Sequence, residues 1–206
     1  MNANELKRLA TGADGARGAA EARSRFVDAA LASGDVDVAV CTVESPVGEL
    51  YVAVTPKGLA RVSFASEDRD EVLAELAERL SPRILESRRA TDEVRRELEE
   101  YFEGRRSRFE VPVDRRLIRG IARDVLRATS RIPFGTTSTY GEIADRIGKP
   151  RAARAVGNAL GSNPIPIVIP CHRVLRSGGA LGGYGGGVER KELLLSLEGR
   201  SIGPVH

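Results

Sequence analysis

Hydrophobic positions in the first half of the chain follow a period of two. Ala60, Val62 and Phe64 alternate with Arg61 and Ser63, the pattern of a strand with one buried face. Val38 to Val43 and Leu50 to Thr55 are two further β-type runs, and turns at Ser45-Pro46-Val47-Gly48 and Pro56-Lys57-Gly58 separate the three. An antiparallel meander is expected, its third strand running from Ala60 to Ala65. The period then becomes helical. One helix is expected from about Asp68 to Leu80, with Val72, Leu73, Leu76, Ala77 and Leu80 on one face. A second, from about Thr91 to Glu103, would bury Val94, Leu98, Tyr101 and Phe102. Strands followed by helices predict a small α+β domain over residues 37–111.

Residues 112–206 read differently. A helix is expected from about Asp114 to Thr129, with Leu117, Ile118, Ile121, Val125 and Leu126 as its apolar stripe, and Ile132-Pro133-Phe134-Gly135 breaks it. Thr139-Tyr140-Gly141-Glu142 has the form of a capping box. It opens a helix with Tyr140, Ile143, Ala144 and Ile147 on one side, closed by Gly148. After Lys149-Pro150 a second short helix would bury Ala152, Ala155, Val156 and Ala159, leaving Arg151, Arg154 and Asn158 outside. Two short helices across a tight turn, the second with a basic outer stripe, predict a helix-turn-helix. Gly157 and Gly161 interrupt that stripe and would let the helix backbone approach a groove wall. The run from Ser177 to Gly187 is dominated by glycine and holds one aromatic residue, Tyr184. A final helix, Val188 to Glu198, offers Leu193, Leu194 and Leu197 for packing. The glycine run therefore suggests a pocket wall whose backbone can approach a ligand closely, more than a linker to a further domain.

Charge sharpens this division. The 206 residues carry 32 Lys/Arg and 29 Asp/Glu, a net charge of +3. Residues 1–111 hold 17 basic against 22 acidic side chains, and residues 112–206 hold 15 against 7. A basic C-terminal half points to a polyanion, with nucleic acid as the leading partner. Residues 1–36, rich in Ala, Gly, Arg and Asp, read as a mobile extension with a short helix near Ala19 to Ala32. They contain no apolar signal core, and no apolar run is long enough to span a membrane. Two cysteines and two histidines supply neither a disulfide framework nor a zinc ligand set. A reducing, cytoplasmic setting is expected, with no membrane partner, no metal and no cofactor.

One of those cysteines sits in Ile169-Pro170-Cys171-His172-Arg173, reached through Ile165-Pro166-Ile167-Val168. A cysteine closing an apolar run is ordinarily a small core residue. Here Pro166 and Pro170 each remove a backbone donor, so the segment cannot be an ordinary central strand. It is expected to be a rigid shelf that ends abruptly and presents Cys171. On a strand His172 would face away from the thiol unless the backbone turned or water bridged the two. Glu198, set in the last turn of its helix where the dipole disfavours an acid, is the candidate to orient the imidazole. Such a trio could serve a hydrolase, a redox enzyme or an alkyl acceptor. No second cysteine lies near in sequence, and no oxyanion motif stands out. A DNA-reading helix beside a nucleophile and a glycine-walled aromatic pocket suggests chemistry on a base taken out of the stack.

The stretch from about Ile132 to Gly199 resembles the O6-alkylguanine-DNA alkyltransferases. The residues that carry the resemblance are Pro133-Phe134-Gly135, Tyr140-Gly141-Glu142, Arg151 to Gly157, Asn163-Pro164, Ile169 to Arg173, and Gly183-Tyr184 through Glu189-Arg190-Lys191. It implies a small ribonuclease H-like α+β domain followed by a mostly helical, winged-helix-like one. It implies direct-reversal DNA repair, in which an alkyl group passes irreversibly, in a single turnover, from guanine O6, and from O4-alkylthymine as a second substrate, to Cys171. His172 would act as base through a water, Glu198 would orient it, and Asn163 would brace the turn into the active-site segment. Tyr140 would crowd the 3′ phosphate and donate to the base, and Tyr184 would pack on the flipped guanine. Val174, Gly185 and Leu160 would complete the substrate site. Arg154 would fill the stack, with Arg151, Ala153, Gly157, Asn158 and Thr139 on double-stranded DNA in the minor groove. A monomer is expected.

Some positions depart from the family pattern. Gly185 stands where some members have Ser, Arg119-Gly120-Ile121-Ala122 replaces a Phe-Gln pair, and the N-terminal zinc ligands and four-cysteine regulatory domain of some relatives have no counterpart. Two other readings stay open: a non-catalytic sensor of alkylated DNA, whose known examples lack the cysteine, and a plain helix-turn-helix regulator.

Overall fold

The computed structural model describes Val27, Ala29, Ala30 and residues 33–199. The extension expected over residues 1–36, with its short helix, falls mostly outside them. The expected meander forms from β1 (Val38–Val43), β2 (Leu50–Thr55) and β3 (Gly58–Phe64). Both pairings are antiparallel. A fourth strand, β4 (Ile84–Glu86), joins β1 in parallel and completes the order β3-β2-β1-β4. It is only three residues long, too short for alternation to reveal it.

Helix α1 (Arg69–Arg79) begins where Asp68 accepts from the backbone of Asp70 and Glu71, the capping that this residue type favours. Val72 and Leu76 bury against the sheet with Val38, Val40 and Ala53. Helix α2 (Asp92–Phe102) buries Val94, Leu98 and Tyr101 on the other side, in a cluster that continues into the C-terminal domain. Cys41 belongs to this core and accepts from Thr91 Oγ1 at 3.0 Å, and burial raises its thiol pKa.

The helix expected from Asp114 to Thr129 is two elements. A 3-10 turn at Arg115–Leu117 is followed by α3 (Ile121–Thr129). Gly120 lies between them at φ +56°, in the left-handed region that a continuous helix cannot include. The expected helix pair is present as α4 (Tyr140–Arg146) and α5 (Ala153–Gly161). Both halves of the Thr139/Glu142 capping box form. Gly148, at φ +69°, donates to the Asp145 carbonyl while Lys149 donates to that of Ala144, a Schellman closure. Arg151 lies before α5 rather than on it.

The last helix, which follows the glycine run, is α6 (Val188–Leu197). Its buried face consists of Lys191, Leu194 and Leu195, and Leu193, expected to pack, is 42% exposed. None of the described helices is long and apolar enough to cross a membrane.

Candidate active site

The segment before Cys171 is not a strand. Ile167 takes φ +73°, and the backbone closes on itself: Ile169 N–H bonds the Ile165 carbonyl at 2.9 Å and Cys171 N–H that of Ile169 at 2.8 Å. The shelf is thus a stack of tight turns that ends in a 3-10 turn at Cys171–Arg173. Strand β6 (Val174–Leu175) follows and pairs in parallel with β5 (Ser138–Thr139). Strand alternation therefore does not govern His172, because the backbone turns at the point where it would apply.

Asn163 ties this arrangement together. Its Nδ2 donates to the Ile169 carbonyl at 3.0 Å and reaches Cys171 Sγ at 3.2 Å, while its Oδ1 accepts from Ile165 N–H at 3.0 Å. One amide thereby fixes both ends of the turn and the sulfur it presents.

His172 is fully buried, and its Nε2 lies 2.9 Å from Glu198 Oε1. That carboxylate also accepts from Tyr101 Oη at 2.7 Å, from Arg173 Nη2 and Nε at 2.8 Å each, and from Gly135 N–H at 3.2 Å. Burial alone would raise the Glu198 pKa, but the donors His172, Arg173 and Tyr101 outweigh it and hold it at about 2. An ionised carboxylate only accepts, so Nε2 of the imidazole carries the proton. Nδ1, buried with no hydrogen-bond partner among the described residues, is left with its lone pair. Burial lowers the His172 pKa against the pull of Glu198. It raises that of the Cys171 thiol against the Asn163 contact. Near neutral pH the resting pair is a thiol beside a neutral imidazole that can accept its proton.

Leu160, Val174, Tyr140 and Tyr184 all join the apolar cluster that contains Cys171. Tyr140 sits between α5 and the glycine run. A Cβ on Gly157 would lie 3.8 Å from its ring, and one on Gly182 would come within 2.8 Å of its hydroxyl. Only glycine fits at 182, where φ is also +69°. Tyr184 lies edge-on to His172 with ring centroids 6.5 Å apart, and Gly185 is exposed beside it. Arg151, Ala153, Arg154 and Asn158 form an exposed patch, with Gly157 and Thr139 half-buried next to it.

Of three further contributors, Tyr101 and Arg173 have no local sequence signal for this role. The periodicity that buries Tyr101 predicts packing, not its bond to Glu198. Arg173, next to His172 in sequence, pairs with Glu198, and its Nη1 also bonds the Ile132 carbonyl at 2.6 Å. Lys191 is fully buried, and its ammonium donates to the carbonyls of Val174 (2.7 Å), Leu181 and Gly183 (3.4 Å). It thus joins β6 to the glycine run. A lysine at the i position of a Lys191/Leu194/Leu195 buried face was the available signal.

Two family profiles match the chain. "6-O-methylguanine DNA methyltransferase, ribonuclease-like domain" covers residues 40–115, and "6-O-methylguanine DNA methyltransferase, DNA binding domain" covers residues 120–200. The chain belongs to this methyltransferase family. A methylated-DNA–protein-cysteine methyltransferase of Mycolicibacterium paratuberculosis is 43% identical over 169 residues, spanning 77% of this chain and 91% of the relative. One from Methanosarcina barkeri is 40% identical over 161 residues, spanning 78% and 96%. Among solved structures, Mycobacterium tuberculosis O6-methylguanine methyltransferase aligns at TM-score 0.68 and 38% identity, covering 82% of this chain and 96% of that one. M. tuberculosis OGT in complex with DNA aligns at TM-score 0.67 and 39% identity, covering 79% and 92%. The mixed architecture, a sheet domain followed by a helical one, is that of these methyltransferases.

Proposed function

We propose that this chain performs direct-reversal DNA repair, transferring the alkyl group of O6-alkylguanine, and of O4-alkylthymine as a second substrate, to Cys171. The observation that carries the reading is the thiol itself. It is buried in an apolar cluster with Leu160, Val174, Tyr140 and Tyr184, held by Asn163, and next in sequence to an imidazole whose Nδ1 can take a proton while Glu198 orients the ring. A sensor of alkylated DNA would need the pocket but not the sulfur.

In the transfer, a sulfur lone pair forms the S–C bond as the C–O6 bond breaks. The thiol proton leaves through water to His172 Nδ1. The electron pair left on the base restores guanine, which takes up one proton from solvent while His172 returns the thiol's proton to solvent, so the step balances without a further reactant. Cys171 and His172 both rest neutral, so the thiol gives up its proton to the imidazole in the course of the transfer. The product thioether has no S–H proton for His172 to remove, so no thiolate forms again and each chain acts once.

Tyr184 and Tyr140 form the walls against which the extruded guanine lies, with Val174, Gly185 and Leu160 at its edge. The exposed patch around Arg154 and Arg151 meets the minor groove of duplex DNA, where Ala153 and Gly157 permit close approach. The acting unit in this reading is a monomer.

Intact-mass and peptide measurement after stoichiometric mixing with an O6-methylguanine duplex tests this directly. One added methyl, about 14 Da, is expected on the Cys171 peptide without any methyl donor or metal. Multiple turnovers, or methylation of Cys41 instead, would overturn the reading.

A further inference from the structure

Tyr184 is braced from the N-terminal domain. The ring of Phe64, at the end of β3, meets it edge to face, with centroids 5.9 Å apart and an interplanar angle of 65°. Behind Phe64 lies Arg190 of α6, its guanidinium 5.1 Å from the ring centroid. Arg190 Nε donates to the Val47 carbonyl in the β1–β2 turn at 2.7 Å, and Nη1 donates to the Gly186 carbonyl at 2.6 Å. One planar fork thus bridges the sheet domain and the glycine run. The closeness of the loop to Phe64 shows how little slack remains: a Cβ on Gly186 would fall 2.6 Å from Phe64 Cε2.

These contacts form a single chain of support, from the β1–β2 turn through Arg190 and Phe64 to Tyr184. Edge-to-face aromatic pairing and a cation over the ring both have directional optima. Their joint effect is to oppose outward movement of Tyr184. We propose that Phe64 and Arg190 are positioning residues that set how far Tyr184 can retreat, and so determine the largest alkyl group the pocket accepts. This inference rests on Tyr184 being the wall of the alkylguanine site. It assigns to the sheet domain, which supplies no reacting atom, a share in substrate choice.

The test compares single-turnover repair of duplexes carrying O6-methylguanine or O6-benzylguanine by the full chain and its Phe64→Leu and Arg190→Lys variants. With the ring edge removed in Phe64→Leu, Tyr184 can withdraw. The benzyl-to-methyl rate ratio should rise about tenfold, the discrimination that roughly one methylene of pocket space commands. Arg190→Lys keeps a cation over the ring but cannot bridge both carbonyls, so a smaller rise in the same direction is expected. Simple loss of stability would lower both rates by one factor and leave the ratio unchanged. An unchanged or reduced ratio in the folded variants overturns the brace, and if Phe64→Leu does not fold, Arg190→Lys decides alone. Failure of the wild-type chain to place any alkyl group on Cys171 would instead overturn the proposed function.

Discussion

Tyr101 Oη donates to Glu198 Oε1 across 2.7 Å, linking α2 of the sheet domain to the carboxylate that orients His172. Both side chains are buried, and the tyrosine ring is held among Phe102, Phe109 and Phe134. The sheet domain therefore takes part in fixing the geometry of the site. Tyr101→Phe keeps the ring and removes one donor to a charged acceptor. A loss of about 1.5–3 kcal/mol in urea unfolding is expected, together with a slower single-turnover repair rate. Wild-type values for both would show that the remaining donors hold Glu198 unaided.

How much of this could be read in the sequence depends on how local the cause is. Helix α1 starts where Asp68 indicates, because capping acts within one turn; α2 starts at the expected place too, although Thr91 makes no side-chain cap there. The Thr139/Glu142 box and the Gly148 closure were legible for the same reason. Leu117, Ile118 and Ile121 keep helical spacing across Gly120, and spacing does not report the left-handed backbone there. The turn at Cys171–Arg173 was hidden behind an apolar run of the length of a strand. Tyr101 and Glu198 are 97 residues apart, and no local pattern encodes their contact. The assignment of Glu198 to His172 came from an acid set against its helix dipole and from the family resemblance together.

Glu198 should also shape acid stability. Its folded pKa of about 2 lies below the ordinary 4.5. The stabilisation it provides is therefore fully present above about pH 5 and is lost as pH falls toward 2. On the order of 3 kcal/mol is at stake. Glu198→Gln should lack this part of the acid limb in urea titrations. At neutral pH it should lose about 3–5 kcal/mol, because Arg173 is left buried without its charge partner. An unaltered acid profile in the variant would mean that other carboxylates dominate.

Lys191 carries the opposite charge. Burial draws its pKa down from 10.5 to about 8. Between those values the unfolded chain binds the proton and the folded chain does not, so the Lys191 contribution to stability rises with pH across that window. Lys191→Met removes the titration and leaves the Val174, Leu181 and Gly183 carbonyls without their donor. The variant should be less stable throughout, and the gap to wild type should widen from pH 8 to pH 10. A gap that is constant or narrows on urea unfolding would show that the ammonium is not desolvated in the fold.

Arg154 offers the cleanest separation of DNA handling from chemistry. It is exposed on α5, outside the cluster that surrounds Cys171. If it fills the stack as the damaged nucleotide leaves, its side chain offsets part of the few kcal/mol that unpairing and unstacking cost. A free base needs no extrusion. Arg154→Ala should therefore slow repair of an O6-methylguanine duplex strongly, by about tenfold or more for each 1.4 kcal/mol of lost offset, and leave reaction with free O6-benzylguanine nearly unchanged. Losing a single surface cation should also reduce the salt dependence of duplex binding by about one unit of slope. Equal slowing on both substrates would place Arg154 in the folding of the pocket. The exposed face of α5 would then have to give up its assignment to the minor groove.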